Sequence, residues 1–343
     1  MIGTYSRIVR RAFIASSTLA LIAVAGCRDT SKEVEQTGYR GTGQVQITYA
    51  STAESIRAEN VVPEAQPAAE ATGAKASQSY SNVQVLGDLS EGEFLRTMAA
   101  MTEWIAPEEG CGFCHNLENL ADDSLYTKKV ARRMIEMTRH INATWKPHVA
   151  ETGVTCYTCH RGQAVPTGIW FADPGYKPHG SVASLAGKNA PAPAIADSSL
   201  PADPFTRLFA KTGEVHVQGL TALSGDEPGE SIQNTETTYA LMIHISKSLG
   251  VNCTYCHNSR AFEAWDQSNP ARVPAWHGIR MVRDLNAAYL EPLKATLPDN
   301  RLGPEGDGPK VACSTCHKGL NKPLGGVSML KDYVKELGGA GAP

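Results

Sequence analysis

Aromatic side chains are scarce in this chain: Phe, Tyr and Trp together make 7% of 343 residues. Total apolar content is ordinary, so part of the core must be filled by something other than rings on side chains. Positive charge is not in excess either, with 32 Lys and Arg against 35 Asp and Glu. That balance argues against a nucleic-acid-binding surface. The apolar stretch from Ala12 to Ala25 is too short for a membrane span. Methionine is sparse, with eight residues, and cysteine numbers nine. The length suits one large or two small domains.

Eight of the nine cysteines fall in one repeated pattern: Cys111-Gly-Phe-Cys114-His115, Cys156-Tyr-Thr-Cys159-His160, Cys253-Thr-Tyr-Cys256-His257 and Cys313-Ser-Thr-Cys316-His317. Cys-x-x-Cys-His is the attachment signal of c-type haem. Its two thiols form thioethers to the haem vinyl groups, and its histidine reaches the iron from one face. A zinc site needs no histidine fixed at that place every time, and a disulfide framework needs no repeated two-residue spacing. Four copies therefore predict four covalent haems, whose porphyrins supply the missing apolar core.

The ninth cysteine belongs to the N-terminus. Arg7, Arg10 and Arg11 precede the apolar stretch, which ends in Val24-Ala25-Gly26-Cys27. This resembles a bacterial lipoprotein cleavage box, with Val24 where leucine is usual. Residues 1–27 read as a lipoprotein-type signal peptide, and Cys27 as the lipidated first residue of the mature chain. Export suits c-type haem, which is attached outside the cytoplasm to an unfolded chain. Removing the three arginines before Cys27 leaves a remainder of charge about −6.

The expected fold class is mainly α, with little β-sheet: a multihaem c-type cytochrome of pseudo-duplicated helix–loop–Cys-x-x-Cys-His units. Residues 28–88 read as an extended N-terminal segment with one short strand at Val45, Ile47 and Tyr49. Residues 89–165 carry the first two motifs, 166–230 form an irregular connection, 231–325 carry the last two, and 326–343 form a C-terminal tail. Ser90 with Glu93 makes a capping box for a helix over 91–105. Apolar spacing predicts further helices over 123–141, 235–249 and 276–291.

The second axial ligand separates a carrier from an enzyme. An open iron face does small-molecule chemistry, and a haem with two protein ligands transfers electrons. Helix position leaves Met98 or Met101 for the first haem and Met134 or Met137 for the second. Met242 has no methionine rival on its helix, and Met281 stands before the fourth motif by analogy.

The stretch Ile141-Asn-Ala-Thr-Trp145-Lys-Pro-His148, followed by Val154-Thr-Cys156-Tyr-Thr-Cys159-His160-Arg161-Gly162, carries a family resemblance. Over roughly residues 88 to 325 the chain resembles the tetrahaem cytochrome subunit of purple-bacterial photosynthetic reaction centres. The resemblance implies three His/Met haems and one His/His haem. It gives Met98 to the haem on His115, Met134 to that on His160, and Met242 to that on His257. It gives His148, not Met281, to the haem on His317, with His140 as the rival. His244 is expected not to ligate, and His179, His216 and His277 are left unassigned. Arg161, Lys318 and Arg260 are candidates for pairing with haem propionates, and Trp104 and Trp145 for packing on porphyrin.

By the same resemblance, the chain is a periplasmic, lipid-anchored electron carrier and not an enzyme. Its partners are the reaction-centre membrane subunits and a soluble high-potential c-type cytochrome or iron–sulfur protein. Its haems run in the order His115, His160, His317, His257, ending at the photo-oxidised special pair. Acidic Glu103, Glu108 and Glu109 would steer a basic donor. Two other classes share the four motifs. A multihaem reductase of a small oxyanion needs one five-coordinate haem. A quinol-oxidising membrane cytochrome retains its N-terminal helix and relies on histidine ligands; the lipoprotein box and the methionine-bearing helices argue against it.

Overall fold

Short-range alternation sets the first element. In the computed structural model, residues 31–37, 45–174, 192–210, 215 and 232–339 are described. Strands β1 (Lys32–Gln36) and β2 (Val45–Tyr49) form an antiparallel hairpin with Val34 opposite Ile47 and Lys32 opposite Tyr49. They are the only strands among the described residues. Because side chains alternate along a strand, Val34, Val45, Ile47 and Tyr49 share one face.

Helix α1 (Ala50–Glu59) follows at once. It occupies ground that the sequence reading gave to an extended lead, and its Ala- and Glu-rich composition suits a helix. Arg57 ties it to the hairpin, donating to both Glu33 carboxylate oxygens at 2.8 and 2.9 Å. Residues 61–72 then run without helix or strand.

Helix α2 (Glu91–Ile105) starts at the expected capping box: Ser90 Oγ accepts from the Glu93 N–H at 3.2 Å, and Glu93 accepts from the Ser90 N–H at 2.8 Å. Two orphan N–H groups of the first turn are thereby satisfied. Helix α3 (Tyr126–Thr144), the short α4 (Cys156–His160), α5 (Ile232–Leu249), α6 (Arg272–Leu285) and the short α7 (Cys313–His317) complete the main elements. The molecule is mostly helical, as expected. Helix α6 begins earlier than its apolar spacing suggests, with Pro274 in its first turn, where no N–H is needed. It loses regular α geometry at Asn286, whose side chain bonds both the N–H and the carbonyl of Val311 at 2.8 and 3.0 Å.

Three apolar clusters hold the elements together. The first joins α2 and α3 through Leu86, Leu89, Met101, Trp104 and Ile135, and takes in Tyr333 and Leu337 from the C-terminal residues. The stretch read as a tail is therefore core: Tyr333 meets the edge of Trp104 at 4.8 Å between centroids, and Arg96 lies 4.0 Å over the Tyr333 ring. Burying one such side chain contributes about 1.5–3 kcal/mol. The second cluster packs Trp170, Phe205, Leu208 and Phe209 of the connecting residues on Leu241 of α5 and Val282 of α6. The third sets Ile141 of α3 against Met281 and Leu285 of α6. Among the described residues, no helix is long and apolar enough to cross a membrane.

Candidate haem-binding sites

The four motifs adopt two geometries. The first and third are single tight turns, Gly110–Phe113 and Cys253–Tyr255, each followed by an isolated bridge, Asn116 with Asn119 and Asn258 with Ala261. The second and fourth are one turn of α-helix, α4 and α7. In each, a threonine hydroxyl, that of Thr158 or Thr315, accepts the N–H three residues before it at 3.0 Å. Each ends in a left-handed residue, Arg161 or Lys318, followed by a positive-φ glycine. The residue before the second cysteine carries the difference: Phe113 and Tyr255 in the turns, Thr158 and Thr315 in the helices. That signal is present in the sequence.

One property is common to all four. The Nδ1 of each motif histidine is held by a backbone carbonyl: His115 by Leu120 at 3.1 Å, His160 by Gln163 at 2.8 Å, His257 by Phe262 at 2.8 Å and His317 by Leu320 at 2.9 Å. A carbonyl only accepts, so Nδ1 carries the proton and Nε2 presents a lone pair. Burial pushes His160 and His257 below the usual imidazole range and His317 down to about 4. The neutral ring is the form that ligates a metal. Buried Lys128 of α3 reinforces the first anchor, donating to Leu120 O at 2.9 Å; sequence reasoning missed this contact.

His148 lies in the Lys146–Val149 turn between α3 and α4. Its Nδ1 is held by the Pro274 carbonyl at 2.8 Å, and its ring stands 5.9 Å from that of His317 at 63°. Burial above all, helped by the nearby His277, leaves its pKa lowered against the opposing pull of the Pro274 carbonyl. The backbone of Gly278 on α6 gives the ring room: a Cβ there would lie 2.7 Å from His148 Cε1. His140 has no such freedom, because Nε2 meets Asp284 at 2.6 Å and Nδ1 meets the Thr144 hydroxyl at 3.3 Å. His244 is buried, with Nδ1 on Ala194 O at 2.9 Å and Nε2 at 3.3 Å from the Ser248 hydroxyl. His179, His216 and Cys27 lie outside the described residues.

The methionines divide by their surroundings. Met101 and Met281 are buried within apolar clusters, and Met98 and Met137 pack against them. Met98, Met134 and Met242 are half-buried. Thr102 bonds back to the Met98 carbonyl and Thr138 to the Met134 carbonyl, both at 2.9 Å; Ser246 stands in the same position after Met242. Trp104 packs on Tyr333 in the first core, and Trp145 donates to Asp284 at 2.8 Å.

Cys159 and Cys316 are joined as a disulfide, with Cα atoms 4.5 Å apart. A sulfur in a disulfide cannot also carry a thioether, so this pairing and haem attachment are alternative states of the same two thiols. The contact follows from the side-by-side packing of α4 and α7. Across it, Arg161 donates to Cys316 O at 3.3 Å and to Asn60 Oδ1 at 3.2 Å. Its Nε and second terminal nitrogen are buried without an acceptor, and burial pushes its pKa down to about 10. Lys318 beside it is lowered by burial and by Arg161. Orphaned buried donors next to a motif histidine fit an anionic group such as a haem carboxylate. Leu117, Leu120 and Phe262 stay largely exposed just after the motif histidines, where apolar surface fits a porphyrin face. No three His, Cys, Asp or Glu side chains converge on a bare-metal site among the described residues.

Comparison with known proteins places the chain in a family. The family model described as photosynthetic reaction centre cytochrome C subunit matches residues 28–336. The chain belongs to that family. It is 50% identical over 327 residues to the photosynthetic reaction center cytochrome c subunit of Rubrivivax gelatinosus, covering 95% of this chain and 89% of that one. It is also 50% identical to the subunit of Thermochromatium tepidum, over 92% of this chain and 78% of that one. The subunit of Roseobacter denitrificans is 44% identical, over 90% and 86%. Membership implies covalently bound c-type haem and a part in electron transport. The matched span takes in the hairpin and Tyr333 of the first core as well as the motifs.

Proposed function

We propose that this chain is a four-haem electron carrier that re-reduces the photo-oxidised special pair of a photosynthetic reaction centre. The eight motif cysteines bind four haems as thioethers, which assigns Cys159 and Cys316 to haem in the mature protein. The axial pairs are His115 with Met98, His160 with Met134, His257 with Met242, and His317 with His148. Bound haem supplies one-electron transfer; the chain supplies ligands, spacing and charge.

The observation that carries the reading is the facing of His148 and His317, each with Nε2 free. Two imidazoles close both faces of an iron, which favours electron transfer over substrate binding. The adjacency of α4 and α7 supports the middle places for the motifs of His160 and His317, with His115 outermost and His257 nearest the special pair. The shared geometry of motifs one and three, and of two and four, supports an internal duplication.

Anchoring by a lipid at Cys27 on the periplasmic side completes the proposal. The donor is a soluble high-potential c-type cytochrome or iron–sulfur protein. Glu108 and Glu109 are exposed near the first motif, whereas Glu103 is tied to Gln66 at 2.8 Å. An uncharged amide does not cancel a carboxylate, so Glu103, Glu108 and Glu109 together would steer a basic donor.

The test is flash-induced absorbance in the haem α-band on native membranes with the haems reduced beforehand. Haem oxidation matched to special-pair recovery is expected. Special-pair recovery with all haems still reduced would overturn the reading and direct attention to a high-spin haem and a substrate.

A further inference from the structure

We propose that Lys128 is a positioning residue for the first haem site: by capping the carbonyl that anchors His115, it holds the potential of that haem up. This role rests on the reading above, in which the first motif carries haem with His115 as ligand, and it does not depend on the order of the haems.

Lysine is seldom fully buried unless it is paired. Lys128 lies on α3 and is 7% exposed. Its ammonium sits inside the loop that follows the first motif. There it donates to Leu120 O and Asp122 O, both at 2.9 Å, and meets the Asp123 carboxylate at 3.1 Å. Three acceptors satisfy the three N–H groups of an ammonium. Leu120 O is also the acceptor of the His115 Nδ1–H at 3.1 Å. A carbonyl oxygen has two lone pairs, so the histidine and the lysine share one atom.

The other three motif histidines lack such a cap. Among the described residues, the carbonyls of Gln163, Phe262 and Leu320 take the histidine Nδ1–H with no cation bonded to the same oxygen. The third motif is the nearest comparison, because it shares the turn geometry of the first. There Arg272 donates to Ala264 O at 3.0 Å and Glu263 O at 3.3 Å, which misses the Phe262 carbonyl. A carbonyl that accepts from Nδ1–H makes the imidazole more basic and so favours the more highly charged, oxidised metal. An ammonium on the same oxygen draws density away from it, weakens that pull and favours the reduced state. The His115 bond, at 3.1 Å, is the longest of the four, as a weakened acceptor requires. Net charge does not carry the effect: in this loop Lys128 and Arg132 stand against Asp122 and Asp123, with Arg132 forked onto Asp123 at 2.8 and 2.9 Å. The contact with Leu120 O is what sets this site apart.

The test is a redox titration of the full haem-loaded protein against Lys128→Met, which keeps the length of the side chain and removes its donors. One of the four waves should move down, so that at its original midpoint the ratio of oxidised to reduced haem rises severalfold, while the other three stay. Lys128→Arg should restore most of the difference. Arg132→Gln removes a neighbouring positive charge without touching the Leu120 carbonyl, and should move that wave far less. If Lys128→Met loses haem, Lys128→Gln, which is polar but uncharged, should give a smaller shift of the same sign. Four unmoved waves with haem content intact overturn the proposal. So does a common shift of all four, or a shift in Arg132→Gln as large as that in Lys128→Met, since long-range charge would then be the cause. Mass spectrometry of the unaltered protein separates the two readings: a Cys111–Cys114 peptide without haem overturns the four-haem reading itself, whereas a haem-bearing peptide with an unmoved wave overturns only the role of Lys128.

Discussion

The rings of His148 and His317 meet edge-on with centroids 5.9 Å apart, each held through Nδ1 by a backbone carbonyl, Pro274 for one and Leu320 for the other. His148→Met should keep four haems and raise the lowest potential. The shift should be roughly a tenth of a volt or more, a small part of the ~0.8 V that axial ligation spans. A redox titration resolving the four haems decides it; an unchanged potential for the haem on His317 removes His148 from the ligand set.

Gly278→Ala asks whether the seat behind His148 matters. The added Cβ would lie 2.7 Å from Cε1 and 2.9 Å from Nδ1 of His148. In a mid-helix position alanine gains roughly 0.5–1 kcal/mol in helix propensity, so thermal stability should hold while the imidazole is displaced. The expected sign is a high-spin ferric signal from one haem in electron paramagnetic resonance. A wholly low-spin spectrum would show that the ring tolerates the methyl.

Met98 and Met101 sit three residues apart on one helix, Met101 buried within the first core and Met98 half-buried against it. Met101→Leu is a volume-conserving swap in the first core and should cost less than about 1.5 kcal/mol, with unaltered haem spectra. Met98→Leu should abolish the methionine-to-iron band of one ferric haem and lower its potential. The reverse pattern would exchange the two assignments.

Asp123 braces the loop that carries Leu120. Arg132 forks onto it at 2.8 and 2.9 Å and Lys128 approaches at 3.1 Å, and the Arg132 hydrogen bond above all holds its carboxyl far below the ordinary value of 3.8. A depressed folded pKa stabilises the fold above the unfolded value and stops doing so as pH falls through the folded one. Asp123→Asn should therefore cost on the order of 1 kcal/mol near neutrality, with the difference in melting temperature narrowing below pH about 4. A gap constant with pH would mean that packing, not charge, is what the substitution removes.

Proteolysis and mass spectrometry of the mature protein should return four haem-bearing peptides, with Cys159 and Cys316 among their thioethers. A haem-free peptide pair linked through these two sulfurs would reduce the carrier to two haems.

Much of this arrangement is legible in local sequence. The Ser90 capping box, the helices before the motifs and the haem-attaching cysteines all rest on residues within a few places of one another. What lies between distant segments is not. Helical spacing places Met98 and Met101 on the same face; both pack on the Trp104 cluster, and only depth, Met101 inside it and Met98 at its edge, tells them apart. His148 is legible through resemblance, because nothing near it in sequence marks Pro274 or Gly278 as its seat. Tyr333 and Leu337 read as a tail because two apolar residues four apart make too short a pattern to signal a core.

That last contact has a consequence for cooperativity. Tyr333 and Leu337 close the core built on Trp104 and Ile135, although the third and fourth motifs both lie between them in sequence. Closing so long a loop is costly in entropy and comes late in folding. The two halves of the polypeptide are therefore tied into one unit that loosens or tightens together, and a nick in the long connection between them should be felt at Trp104.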